Sequence, residues 1–178
     1  MKCPRCKTTD LAPTMIEEYL PAMGCGNCHG SLVSLLYYRH WAETQKPPAT
    51  PPSVPPTAME TADTTSAIIC PKCERVMMKY KLTGTISNRV DVCSTCDEAW
   101  LDQGEWELLE ALQLNLSMRS IFTDAWQRRI RHEMSEDTRR SILTRMIGDE
   151  GTAKVEQFKD WLAKTRHKSH IMAYLYRT

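Results

Sequence analysis

No stretch of the chain approaches the roughly 18 consecutive apolar residues that a membrane helix requires. An excess of one charge is missing too. Among 178 residues, 23 Lys+Arg stand against 22 Asp+Glu, giving +1, so the overall balance points to no polyanionic partner. Behind the opening Met1-Lys2-Cys3-Pro4 there is no apolar run, and the expectation is no secretory signal and a cytoplasmic location. The pattern contains no phosphate loop, nucleophile–base pair or open metal site. His132-Glu133 begins like a metalloprotease motif, but Glu136 occupies the position of the required second His. Apolar residues at 42% and charged residues at 25% exclude collagen-like and wholly disordered chains. A non-enzymatic protein without a small-molecule substrate or membrane partner is expected.

Against these absences stand eight cysteines. They fall as four C-x-x-C pairs: Cys3/Cys6, Cys25/Cys28, Cys70/Cys73 and Cys93/Cys96. Between Cys6 and Cys25 lie 18 residues, and between Cys73 and Cys93 lie 19. Both halves open Cys-Pro-basic-Cys, as Cys3-Pro4-Arg5-Cys6 and Cys70-Pro71-Lys72-Cys73, so a small unit is repeated with a period near 67. This spacing suits a four-thiolate zinc site, each knuckle placing two sulfurs on one side of a shared ion at about 2.3 Å. Four protein ligands close the coordination sphere and leave no place for a reactive water, which points to structural zinc. A unit of about 40 residues also needs such a staple to fold, and zinc contributes on the order of 10–16 kcal/mol in comparable peptides. With two ions and eight thiolates, the formal charge of +1 becomes −3.

Three other uses of the cysteines compete. Disulfides conflict with a reducing compartment. Thioredoxin-like chemistry needs a βαβ unit that the pattern does not offer. Cys25-Gly26-Asn27-Cys28-His29 matches the c-type haem run, but haem there would orphan Cys3 and Cys6. Zinc accounts for all eight.

The expected organisation is α+β, with two metal-stabilised β-hairpin zinc ribbons at 1–42 and 67–116, a Pro-rich linker at 43–66 and an α-helical module at 117–178. Six of the ten prolines lie in the linker, which reads as an extended spacer, with docking to a proline-recognising domain as the less favoured use. In the second unit, Met78, Tyr80 and Leu82 alternate with Lys79 and Lys81, the period of a half-buried strand. Asp102 followed by Glu105 reads as a helix N-cap with its capping-box partner. Leu108, Leu109, Leu112 and Leu116 form the apolar face of the helix that follows.

The run Cys70-Pro71-Lys72-Cys73, Val90-Asp91-Val92-Cys93-Ser94-Thr95-Cys96 and Trp100-Leu101-Asp102-Gln103-Gly104-Glu105 resembles the bacterial TFIIB-type zinc-ribbon family. Residues 70–110 carry the likeness and 3–42 do so more weakly, with Leu32-Val33-Ser34 in place of Trp-Leu-Asp. Lys7 and Glu74 stand where the family has glycine after the first knuckle. The resemblance implies a zinc ribbon of a kind associated with transcription or nucleic acids.

The cysteine-free tail has helical periodicity. Phe122, Ala125, Trp126, Ile130 and Met134 share one face. Ser135 reads as the start of a second helix ended by Gly148, Thr152 as the start of a third, and Ile171 to Tyr176 as a short fourth. Residues 116–178 carry 13 basic and 8 acidic groups, and residues 1–115 carry 10 and 14. Arg128, Arg129, Arg131, Arg139 and Arg140 are therefore candidate phosphate contacts, although arginines also decorate the solvated face of a bundle.

The leading reading is a tandem zinc-ribbon protein acting in transcription or other nucleic-acid transactions. The alternative is a protein–protein adaptor with Trp161, Tyr174 and Tyr176 as interface candidates, and a thiol redox sensor with releasable zinc is third. The linker composition predicts independent ribbons, so that Cys93→Ser would empty the second site alone. The cysteine pattern predicts two zinc ions per chain, checked by metal analysis of reduced, metal-replete protein. One ion or none would refute it.

Overall fold

A computed structural model describes residues 1–46, 59 and 61–177. The order of elements is β1 (Leu11–Glu17), β2 (Leu20–Cys25), β3 (Ser31–Ser34), α1 (Leu35–Thr44), β4 (Met78–Lys81), β5 (Arg89–Cys93), β6 (Glu98–Leu101), α2 (Glu105–Ala111), α3 (Met118–Ile121), α4 (Asp124–Lys164) and α5 (Lys168–Leu175). The chain divides into two compact units, Met1–Arg131 and His132–Thr178. Among the described residues no helix is long and apolar enough to cross a membrane.

In the first unit each cysteine-bearing half contributes three antiparallel strands, and the halves share one six-stranded sheet of order β1-β2-β3-β6-β5-β4. The two ribbons expected as separate units therefore share one sheet. β3 and β6 each begin just after the last knuckle of their own half, and they pair as Ser31↔Leu101, Leu32↔Trp100, Val33↔Ala99 and Ser34↔Glu98. Leu32 and Trp100 each stand four residues beyond the last cysteine of their half, so equivalent positions of the repeat meet at the seam.

Strand alternation separates two cores. Val33, Ala99, Leu101, Val90 and Val92 point to one face, where they pack with Tyr38, Trp41, Trp106, Leu108, Leu109, Met118 and Ile121. Leu32, Trp100 and Met77 lie in the other core with Cys3, Cys25, Cys70 and Cys93. In β4 Tyr80 and Leu82 face the core of Val90 and Val92 as the alternation expects, and the departure lies at the start of the strand. Met77 is buried and Met78 is exposed, while Leu82 is buried as expected.

The segment read as a linker falls outside the described residues over 47–58 and at 60. Its described end is tied to the sheet. Ala62 N donates to Gln103 O (2.9 Å), Thr64 N to Asp102 Oδ2 (2.6 Å) and Lys79 Nζ to Thr64 O (2.5 Å). Arg89 pairs with Asp63 at 3.3 Å.

Gly104 (φ 79°), not Asp102, is the N-cap of α2. Glu105 Oε2 accepts from Asp102 N at 2.9 Å, which preserves half of a capping box. The Asp102 carboxylate instead takes Trp100 Nε1 and Thr64 N. At the outer edge of the sheet, the Gln127 side-chain amide imitates a paired strand. It donates to Lys81 O (2.9 Å) and accepts from Lys81 N (3.3 Å).

The helix expected to start at Ser135 is not a separate one, because α4 runs through that position. Helical neighbours on both sides satisfy the backbone, so a local cap has nothing to terminate. Gly148 does break the helix, with φ 75° and ψ 173°. The arms on either side fold back on each other through Thr144–Thr152 (3.1 Å), Arg140–Glu156 (3.1 Å) and Lys159–Glu136 (3.0 Å).

Glu105 is fully buried. Burial raises its pKa from 4.5 to about 8 against the hydrogen bond from Asp102 N. The folded state therefore holds a proton between those pH values that the unfolded chain releases, and stability falls as pH rises through that window. Glu105→Gln removes this ionisation. The variant should gain on the parent between pH 5 and pH 9 in urea denaturation, and a pH-independent difference would contradict the burial argument.

Candidate metal centres

The two sets of four cysteines expected from spacing come together: Cys3, Cys6, Cys25 and Cys28 in one group, Cys70, Cys73, Cys93 and Cys96 in the other. Within each group all Sγ atoms lie within 4.8 Å of one another. A metal–sulfur distance of about 2.3 Å in a regular tetrahedron implies sulfur–sulfur edges of about 3.8 Å. The structure has Cys3–Cys28 at 3.7 Å, Cys6–Cys25 at 3.9 Å and Cys73–Cys93 at 3.5 Å. All eight are free thiols. The two groups could therefore hold two metal ions. Because Cys25 and Cys28 face Cys3 and Cys6, the C-x-x-C-H run is part of a four-sulfur set.

Each knuckle is built the same way. Its first cysteine is buried and its second half-buried, and the residue that follows is left-handed: Lys7 (φ 64°), His29 (φ 56°), Glu74 (φ 60°) and Asp97 (φ 56°). In three of these turns that residue's N–H donates to the carbonyl of the first cysteine, at 2.8 Å for Lys7, 3.0 Å for His29 and 2.9 Å for Glu74. The turn thus imposes its conformation on side chains that disfavour it. Lys7 and Glu74 hold a backbone conformation that glycine adopts at less cost.

Crowding of the sulfurs governs their protonation. Burial opposes ionisation of Cys25, but the Cys28 and Asn27 N–H groups and the thiols of Cys3 and Cys28 bring its pKa down to about 7. The Arg75 N–H, with help from the other sulfurs, lowers Cys73 to about 7. Its hydrogen bond with Cys73, together with burial, pushes Cys96 up to about 12. Burial raises Cys3, Cys28 and Cys70. In each site one thiol is held low while Cys3 and Cys28, or Cys70 and Cys96, are held up and resist ionisation. A metal ion reverses that resistance and displaces the remaining protons.

Sequence reasoning missed the support around the sulfurs. Asn27 Nδ2 donates to Cys6 Sγ at 3.1 Å. The basic residue of each Cys-Pro-basic-Cys knuckle meets a carboxylate at one end of β6 or just beyond it: Lys72–Glu98 at 2.5 Å and Arg5–Asp102 at 3.7 Å. The repeated basic residue was the available signal, but its partners lie on a strand shared by both halves.

The five candidate arginines do not form one set. Arg128 and Arg131 are exposed, and the Arg129 guanidinium lies over Trp126, 4.1 Å from the ring centroid. In the second unit Arg139 pairs with Glu136 (2.6 Å) and Arg140 with Glu156 (3.1 Å).

No protein-family model, curated protein or solved structure matches the chain.

Glycine at position 74 relieves the left-handed turn without touching a sulfur. Glu74→Gly should stabilise the metal-loaded protein by about 1 kcal/mol, seen as a higher midpoint in thermal denaturation. Destabilisation would mean that the Glu74 side chain contributes more than its backbone costs.

Proposed function

We propose that this is a non-catalytic zinc protein whose sheet is fixed by two four-thiolate sites, and that it acts as an adaptor gripping another protein through its C-terminal helices. One observation carries this reading. Among the described residues of the second unit, only Thr152 and Leu162 are buried, while Ile142, Met146, Val155, Phe158, Trp161, Tyr174 and Tyr176 are exposed. Two short antiparallel arms that bury so little derive little stability from their own packing. Large exposed aromatics are also the side chains that anchor protein interfaces. Closed four-sulfur coordination supports a structural role for the metal, and thiolate donors suit zinc.

Charge supports the same choice. Residues 132–178 carry nine basic and seven acidic groups, and Arg139 and Arg140 already have carboxylate partners. A second reading, contact with nucleic acid in transcription, draws support from exposed Arg128 and Arg131 and from the zinc-ribbon resemblance over residues 70–110.

The two readings separate in solution and in the host. Photoreactive residues at positions 146 and 161 should give nuclease-resistant protein adducts in the host. DNA and RNA should show no binding to micromolar protein at low salt. The nucleic-acid reading instead requires salt-dependent binding, with a log–log slope of about 0.9 per duplex phosphate contacted. That slope should shrink in Arg128→Gln/Arg129→Gln/Arg131→Gln. Such binding, with nuclease-sensitive adducts, would overturn the adaptor.

A further inference from the structure

We infer that the two metal sites are thermodynamically coupled, so that loading either one raises the affinity of the other. This inference rests on the zinc reading. It adds to that reading an internal communication that the repeat and its spacer gave no reason to expect.

Three connections, which share Trp100 and Asp102, cross from one half to the other and converge on β6. The first is the backbone. β3 leaves the Cys25/Cys28 knuckle, β6 leaves the Cys93/Cys96 knuckle, and the two pair over four residues. Ordering either knuckle therefore sets the start of a strand on which the other half builds.

The second connection is apolar. Trp100 is fully buried in a single cluster with Cys3 and Cys25 of one site and Cys70 and Cys93 of the other. Its ring lies against Gly30, two residues after Cys28, where an added Cβ would overlap Trp100 Cζ2. The indole is held from its other end by a 3.0 Å hydrogen bond from Nε1 to Asp102 Oδ1. It fits only when both knuckles are in place.

The third connection is ionic. Arg5, between two ligands of the first site, reaches Asp102 at the end of the second half's strand. Within the second half, Lys72, between two ligands of that site, holds Glu98 at the start of the same strand, so the strand that receives Arg5 is itself tied to the second site. The Asp102 carboxylate is almost fully buried, at 2% exposure, while the Arg5 side chain keeps 35%, so the pair is shielded from water on the carboxylate side.

Metal binding to a knuckle is folding of that knuckle. Folding of one half builds the surface on which the other half packs. Coupling is reciprocal by necessity, and typical couplings change affinity about 5- to 150-fold.

Native mass spectrometry of the full reduced chain with one equivalent of zinc tests this directly. Two independent sites, alike or unlike in affinity, leave at least half of the chains with a single ion at half saturation. Coupling depletes that species, to about a quarter for a tenfold effect. A one-zinc fraction no lower than the two single-site affinities require, those affinities being measured in Cys28→Ser and Cys96→Ser chains, overturns the coupling while leaving the zinc sites intact. A chain that takes up no zinc overturns the zinc reading itself.

Two variants retain all eight cysteines and test the route. Gly30→Ala intrudes on Trp100, and Arg5→Gln removes the ionic link with little risk to the fold. Each should return the one-zinc fraction towards half. Unchanged depletion in a Gly30→Ala protein that still binds two ions would overturn the seam as the route. Arg5→Gln decides the same point if Gly30→Ala does not fold.

Discussion

Four sulfur atoms held within 4.8 Å of one another cannot all be anions unless a cation sits among them. Most of the sheet follows from this constraint. The knuckles must be tight enough to present two sulfurs side by side, which forces the next residue into a left-handed turn. They must also face each other across a hairpin, which sets the strand lengths. With the first cysteine of each knuckle buried against Met77, Leu32 and Trp100, protons and metal compete for the same lone pairs where water reaches only the second cysteine.

Much of this was legible in the chain. Grouping of the cysteines follows from spacing because a knuckle is a local object, fixed by four consecutive residues. Gly148 also read correctly, since its backbone needs no distant partner to interrupt a helix. The pairing of β3 with β6 was not legible. Its energy lies between segments 68 residues apart, and four-residue strands carry too little alternation to announce a partner. Met77 shows a related difficulty, because a second core covers the opposite face of the strand and buries a residue that a one-sided alternation leaves out. Asp102 carries a capping signal in the sequence, yet its carboxylate serves Trp100, Thr64 and Arg5 instead. A buried tertiary network has taken over a residue whose local preference pointed elsewhere.

The two units obtain order in different ways. In the first, two apolar layers, one of them carrying the buried thiols, lie on opposite sides of one sheet. In the second, the arms around Gly148 are joined by surface ion pairs and a Thr144–Thr152 hydrogen bond. Exposed ion pairs contribute only about 0–1 kcal/mol each. Such a unit can adjust its side chains to a partner at small cost, whereas the sheet has few alternatives to its own packing.

The Gln127 amide beside Lys81 has a consequence for growth. An antiparallel sheet ends where its last strand exposes unpaired N–H and C=O groups, and those groups recruit further strands from other molecules. At β4 the side-chain amide occupies the N–H and C=O of Lys81 in advance. At the opposite margin Pro13, midway along β1, has no N–H to offer. Each margin thus carries one obstacle to strand addition, an amide side chain at the end of β4 and a proline within β1.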